Sequence, residues 1–431
     1  MALPSGRISV SGAPREGDSE TGMVHEDSAT LADETNTGRE AAKGGRPVVL
    51  QVLPALETGG VERGTVDIAG AVVEAGGTSI IASEGGQLER HLVRAGAVHV
   101  RMPLASKNPF VMRRNAGRLA RVIEQFDVDI VHARSRAPAW SARRAARRAG
   151  CRFVTTFHGT YGFSTPFKRA YNAIMTKGEL VIAPSEFIAA HIRDNYGVDP
   201  QCLRVIQRGV DLEVFNPARV SPQRVIQLAN SWRVPDDLPL VMLPARFSRW
   251  KGQALLLQAL TRLRDLEFCC ILIGADQGRA AYRRELEKLI DRLDLRSRAF
   301  VVDQCNDMAA AYMLADVVVS ASTEPEAFGR VISEAQAMGR PVVASDHGGM
   351  REQVLPRVTA FPFPPGDEVS LAEALRQALR LSTSEREHVS RQAEAHVRAN
   401  FSKDKMCART LALYRELLGL ETDGEAGVAS V

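Results

Sequence analysis

From residue 47 almost to its end, the sequence alternates short apolar runs with helix-length amphipathic stretches, and this rhythm leaves few folds open. RPVVLQVLP reads as a strand, VERGTVDIAGAVVEAG as a helix and TSIIAS as the next strand. AVHVRMPL, DIVHA, CRFVTTF and ELVIAPS continue the series, with helical stretches between most of them. Such strands, separated by helices, form parallel sheets covered on both faces. At DLEVFNPARVSP two prolines and an N-P step predict a linker. A second series follows in PLVMLPA, EFCCILIG, AFVV, ADVVVSAS and RPVVAS, and beyond Gly366 the chain reads as largely helical. The expected architecture is α/β, with two facing Rossmann-like domains over residues 47–218 and 219–398 and a cleft between them. A last helix over 399–418 is expected to pack back on the first domain. At 431 residues the chain exceeds one ordinary core, which agrees with two domains. Residues 1–46 and 419–431 lack periodicity and read as a disordered leader and tail.

Composition narrows the functional classes. No run of 18 apolar residues occurs and the amino-terminal stretch has no apolar signal core, so a cytoplasmic protein is expected. The six cysteines form no C-x-x-C pair and have no histidine at zinc spacing; they read as reduced core thiols, and no metal site is expected. The chain total is +4, the leader is −3 and the tail −3, which puts the middle near +10. A basic body favours phosphate-bearing ligands, an anionic membrane or nucleic acid. Aromatic residues at 6% and the lack of a nucleic-acid-binding motif argue against the last of these.

In parallel α/β sheets ligands bind beyond the carboxyl ends of strands, and four loops there carry suitable residues. Glu57-Thr58-Gly59-Gly60-Val61-Glu62-Arg63 sets two glycines before a helix, which suits either close approach to a diphosphate or acceptor, or simply a tight turn. His158, in TTFHGTYG, ends a strand beside a glycine and is suited either to a purely structural role or to hydrogen-bond a sugar hydroxyl or a leaving group. Arg246, Arg249 and Lys251, in PARFSRWKG, cluster before an amphipathic helix, where unpaired cations oppose the helix dipole and a bound diphosphate would relieve the conflict. Glu326 and Glu334, in EPEAFGRVISE, stand eight apart, one in a loop and one about a turn into a helix, with Gly329 opening the backbone between them. Two carboxylates so placed can accept bonds from different hydroxyls of one elongated ligand, or serve as a hydrolytic dyad.

At these residues the sequence resembles the GT-B retaining glycosyltransferases of family 4, over about residues 47–415. EAFGRVISE carries the resemblance most specifically, with RFSRWKG, GG-x-E-R, HG and RGVD in support. The resemblance implies that Glu326 binds donor-sugar hydroxyls and Glu334 the nucleotide ribose. It implies that Arg246 and Lys251 neutralise the diphosphate, that His158 touches the donor sugar, and that Gly60 packs against phosphates or acceptor. Phe328 and Gly329 would offer amides to the sugar, and Gly59, Gly274 and Val331 join the donor-binding positions. Family chemistry is front-face substitution without a covalent nucleophile, a metal or another cofactor; the nucleotide-sugar is a substrate. One departure stands at Asp303, where relatives commonly have glycine near the nucleotide base.

The expected partners are a nucleotide-diphosphate sugar, UDP-linked first and GDP-mannose second, and a glycan or lipid-linked acceptor such as a lipopolysaccharide or exopolysaccharide precursor. No nucleic acid is expected. The basic stretch from Lys107 to Arg121, with Arg143, Arg144, Arg147 and Arg148, suits either solvated helix faces or peripheral docking on an anionic inner leaflet. The same fold also serves nucleotide-sugar epimerases and phosphorylases, so an epimerase or hydrolase is the alternative.

Overall fold

A computed structural model of the chain describes residues 10–11, 46–162, 165–235, 237–275, 278 and 280–420. Two sheets organise it. The first has the order β1-β4-β3-β2-β5-β6-β7-β8. Its strands are β1 (Val10–Ser11), β2 (Val48–Val52), β3 (Thr78–Ser83), β4 (Val98–Arg101), β5 (Ile130–Ala133), β6 (Arg152–Thr156), β7 (Leu180–Ala183) and β8 (Leu203–Val205). The second has the order β11-β10-β9-β12-β13-β14, built from β9 (Leu240–Pro244), β10 (Cys269–Ile273), β11 (Ala299–Val302), β12 (Val317–Ser320), β13 (Val342–Ser345) and β14 (Ala360–Phe363). All pairings are parallel except that of β1, which runs antiparallel along the edge strand β4. The protein is thus an α/β chain with two Rossmann-like parallel sheets.

Three strands have no counterpart in the sequence reading. Val10–Ser11 falls within the expected leader; the leader before Arg46 otherwise, and the tail beyond Leu420, lie outside the described residues. Leu203–Val205 is half-buried throughout, so its apolar signal is weak. Ala360–Phe363 contains Pro362, which the sheet tolerates because β14 is an edge strand.

Strand order reverses between β2 and β5 in the first sheet and between β9 and β12 in the second. At such a switch point the neighbouring loops diverge and leave a crevice. The loops concerned are 53–59 and 134–135 on one side, and 245–252 and 321–329 on the other. They hold most of the residues singled out above.

Helices cover both faces of the first sheet. On one, α1 (Gly60–Glu74) packs beside the last helix, and Ile68, Val72, Leu413 and Tyr414 close over Val49, Ile130 and Val154. On the other lie α2 (Pro109–Phe126) and α3 (Arg136–Ala149). Helix α3 buries Ala139, Ala142, Ala145 and Ala146, small residues that let the helix seat closely and leave its arginines facing outward. The arginines do not form one docking face, however. Arg144 points to the carboxyl end of the strands, while Arg148 lines a hollow at the opposite end with Glu124, Asp127 and Asp129.

The final helix, named α7 below, spans Lys403–Leu418. Its Tyr414 hydroxyl lies 2.6 Å from Nδ1 of the fully buried His132 on β5, whose Nε2 lies 2.6 Å from Thr156 Oγ1. The chain therefore crosses to the second sheet and returns to complete the first.

Candidate active site

The second sheet contributes a tightly stitched pair of loops. Gly252 holds a positive φ of 75°, and a Cβ there would fall 1.8 Å from the Ala321 carbonyl oxygen, so only glycine lets the loop after β9 lie against the loop after β12. Thr323 N donates to Trp250 O at 2.7 Å, which ties the loops together. The result is an ion pair of 2.7 Å between Lys251 Nζ and Glu326 Oε1, each only 13% exposed. Ser322 Oγ donates to the same carboxylate oxygen, and Gly349 N holds the Glu326 carbonyl at 2.9 Å. The sequence reading of unpaired cations at this helix start is thereby corrected. Lys251 is neutralised by Glu326, and Arg249 turns outward, 76% exposed, to pair with Glu285 at 2.7 Å and lie over the Tyr282 ring.

Beside this pair lies a cleft of about 840 Å³ between the sheets. Arg246, Gly274, Val331 and Glu334 line it from the second sheet, with Thr58, Arg63 and Asp67 opposite them. A Cβ on Gly274 would sit 2.0 Å from the Ala245 carbonyl oxygen, so this glycine lets β10 end flush against the Arg246 loop. Glu334 lies on α6 (Arg330–Ala337; α4 and α5 are the helices Pro166–Asn172 and Gln253–Leu260), where Arg330 Nη2 pairs with it at 2.9 Å and Tyr312 OH donates to it at 3.1 Å. Gly329, with φ 89°, begins that helix. Phe328 is 2% exposed and packs edge-on against Phe401, and its carbonyl accepts from the Gln353 side chain; the side chain is part of the core. Asp303 turns its carboxylate onto Arg283.

The first sheet brings a cationic cluster. Gly59 is the N-cap of α1 and Gly60 its first residue. Arg208 donates through Nη1 to the Gly60 carbonyl and through Nη2 to His158 Nδ1 at 2.8 Å. A Cβ on Gly60 would lie 3.5 Å from Arg330 Cδ and 3.7 Å from Arg208 Nη1, and one on Gly64 would lie 3.3 Å from Arg134 Nη2. Three arginines from both sheets thus converge on the start of α1. Arg134 is 4% exposed and donates to Gln51 Oε1 at 3.3 Å, while its Nε and that of Arg330 are buried without a partner among the described residues.

Electrostatics follow from this crowding. Burial, then the charges of Arg134 and Arg330, draws the Arg208 pKa down to about 9. Burial, then Arg208 and Arg134, holds His158 well below the ordinary histidine range and therefore neutral. Burial raises the Asp67 carboxyl, against the pull of Arg330, Lys403 and Arg63. Because a guanidinium only donates, His158 Nδ1 must accept, and the ring proton sits on Nε2. That Nε2 is shut from solvent and has no partner among the described residues.

Of the residues chosen from sequence, Arg246, Gly274, Val331 and Glu334 meet in the cleft, Lys251 and Glu326 pair beside it, and Gly60 and His158 are joined through Arg208. Arg134, Arg208, Arg330 and Tyr312 were missed. Arg208 lies in the RGVD string and Arg134 directly follows β5, but nothing in either context tells which partner the fold supplies 50 or more residues away. The sequence also holds a D-x-D string, Asp127-Val128-Asp129, the spacing of a metal–nucleotide motif. It precedes β5 at the end of the sheet far from the cleft, where Asp129 Oδ2 accepts from Val48 N at 2.8 Å.

Residues 58–214 match the sequence profile of glycosyltransferase family 4, and residues 226–396 that of glycosyl transferases group 1. The D-inositol 3-phosphate glycosyltransferase of Xylanimonas cellulosilytica is 30% identical over 310 residues, which is 67% of this chain and 72% of that protein. The match to the enzyme of the same name from Mycobacterium tuberculosis spans half of that protein's length. A glycosyltransferase from Rickettsia africae is 37% identical with a TM-score of 0.81, covering 86% of this chain and 99% of that one. An Anabaena protein, HepE, solved in complex with UDP and glucose, shares the fold with a TM-score of 0.75 at 23% identity, covering 85% and 98%. With both halves of the chain matched and the two switch-point crevices facing each other, the chain belongs to glycosyltransferase family 4 and is a glycosyltransferase of the GT-B fold.

Proposed function

We propose that the protein transfers a hexosyl unit, with retention of anomeric configuration, from a nucleotide-diphosphate sugar to a glycan or lipid-linked acceptor. The observation that carries this reading is the convergence of Arg208 and Arg330, from opposite sheets, on the backbone of Gly60. Breaking a glycosyl–phosphate bond builds negative charge on the leaving diphosphate, and cations already fixed in place stabilise that charge without reorganising. Arg246 and Lys251 extend the same field. Glu334 is suited to accept from ribose hydroxyls, and Glu326, on binding, exchanges part of its pairing with Lys251 for sugar hydroxyls. His158, neutral and oriented by Arg208, stands on the first-domain side, and its Nε2 proton, enclosed here, becomes a donor to the sugar once the loops around it open to substrate. Phe328, Gly329 and Val331 contribute through backbone and packing around α6, and Gly59 through the cap of α1.

Glu326 is held by Lys251 and Ser322, an arrangement that favours a positioning role over nucleophilic attack. Retention then proceeds on one face of the sugar: the leaving phosphate oxygen takes the acceptor hydroxyl's proton as the new glycosidic bond forms. No metal or other cofactor enters this scheme. A UDP-sugar is the preferred donor and GDP-mannose the second, in keeping with UDP-glucose in the Anabaena relative. Among the described residues no helix is long and apolar enough to cross a membrane. On this reading the enzyme works in the cytoplasm, in lipopolysaccharide or polysaccharide synthesis, and touches an anionic inner leaflet through Lys107, Arg113 and Arg144, the basic residues that do share one end of the sheet.

Calorimetric titration of UDP, GDP and ADP into the protein and its Lys251→Ala and Glu334→Ala variants tests the donor site. Saturable binding of one diphosphate, weakened in both variants, supports the reading. No binding by any of the three would overturn it.

A further inference from the structure

A second hollow, of about 900 Å³, opens in the first domain beside the cleft. Pro54, Ala105, Ser135 and Gly162 in its wall follow β2, β4, β5 and β6, so it too lies at the carboxyl ends of the strands. Its charge is one-sided. Lys107, Arg113, Arg136, Arg144 and Lys168 line it, and among the described residues no carboxylate does. The interdomain cleft, by contrast, sets Asp67, Asp211, Asp307 and Glu334 among its arginines. Among the described residues neither Arg113 nor Arg144 has a carboxylate partner, and Arg136 spends its guanidinium on Asn172 Oδ1 and the Tyr161 ring. Like charges gathered in a concave site repel until an anion enters.

The remaining wall is apolar and aromatic. Trp140, 40% exposed, stacks on Tyr171 at 6.2 Å between centroids, and the Tyr171 hydroxyl is buried without a partner among the described residues. Phe167 is 81% exposed at the mouth, and Phe110 on α2 is 84% exposed nearby. Large aromatic side chains left in water at the rim of a hollow mark a surface that meets an apolar partner. The hollow also leads to the candidate centre. Arg136 lies 4.1 Å above the Tyr161 ring, and the Tyr161 hydroxyl accepts from His158 N at 3.2 Å.

We propose that this groove holds the acceptor, and that the acceptor is an anionic amphiphile: a saccharide bearing phosphate or carboxylate and carried on an apolar chain. Arg113, Arg136 and Arg144 grip the anion, and Trp140 and Phe167 lie along the chain. The assignment rests on the reading of His158 and Glu326 as the reacting centre, since Tyr161 is what joins groove to centre.

The test titrates three soluble probes into the full-length protein below their micellar range: dodecyl phosphate, dodecyl maltoside and glucose 6-phosphate. Dodecyl phosphate should bind at least about tenfold more tightly than either of the others, and the double variant Arg113→Ala/Arg144→Ala should lose about tenfold of that affinity. Both arginines are exposed, so the variant should fold, and an unchanged circular dichroism spectrum verifies this. Equal binding of dodecyl maltoside, or undiminished binding by the variant, would overturn the groove as an anion site. Equal binding of glucose 6-phosphate would overturn the amphiphile in favour of a soluble phosphorylated acceptor. UDP, titrated into the same samples, separates the two readings: its failure to bind the wild type sinks the donor site, whatever the groove does.

Discussion

Arg208 donates to His158 Nδ1 at 2.8 Å and, with its other terminal nitrogen, to the Gly60 carbonyl, so one half-buried guanidinium sets both a ring tautomer and the start of a helix. Arg208→Met should therefore free the histidine to take either tautomer and remove a positive neighbour that disfavours its protonation. The acid limb of the pH–rate profile should move to higher pH in this variant, with kcat falling more than KM rises. An unmoved acid limb with an otherwise folded protein would show that Arg208 acts on the backbone alone.

The buried neutral histidines make a second pH prediction. His132 and His158 are both held well below their ordinary value of about 6.5, first by burial. The unfolded chain takes up protons at these rings below that value while the folded chain does not. Stability should thus fall as pH drops from about 6.5, by up to about 1.4 kcal/mol per pH unit for each ring. Urea unfolding between pH 7 and pH 5 measures the slope, and His158→Gln should make it shallower.

The Lys251–Glu326 pair is expected to matter more to turnover than to folding. Lys251→Ala leaves Glu326 uncompensated beside the incoming diphosphate and removes a cation from the leaving group. A loss of about 10²–10³-fold in kcat is expected, read by steady-state kinetics once a donor is identified. A variant altered only in KM would mean that the lysine serves ground-state binding.

Gly252→Ala tests the stitching of the two loops. The new methyl would meet the Ala321 carbonyl, and the left-handed backbone adds about 1–2 kcal/mol of its own. The variant should lose at least about 2 kcal/mol in urea unfolding and bind the donor nucleotide more weakly. Gly278, with φ 80° and nothing within 4 Å of an added Cβ among the described residues, provides a control for the cost of the left-handed backbone.

Tyr414→Phe removes the hydroxyl that faces His132 Nδ1 and leaves a buried ring nitrogen unpaired. About 1–3 kcal/mol of stability should be lost, measured by thermal or urea unfolding. A neutral outcome would mean that water enters the space.

Much of the architecture was legible because both sheets are parallel. Strands buried on both faces, such as CCILI and VVVS, leave apolar runs that no turn or surface helix imitates. The edges were harder to read: β8 is only half-buried and β14 contains proline, so each lacks that signal. At the candidate site the divide is between residue types and their partners. Glu326, Lys251 and His158 stand out by motif. That Lys251 is neutralised by Glu326, or that His158 is oriented by Arg208, depends on which loops the switch points bring face to face, and this is a property of strand order rather than of any local string.

The return of α7 to the first sheet has a consequence for how the protein is made. Synthesis runs from the amino end, so the strands β2 to β8 emerge long before the helix that covers Val49, Ile130 and Val154. Until residues 403–418 leave the ribosome, that apolar face is covered by α1 alone and His132 lacks its Tyr414 partner, while the second domain is translated. The first domain is thus the earliest to begin and the last to be sealed.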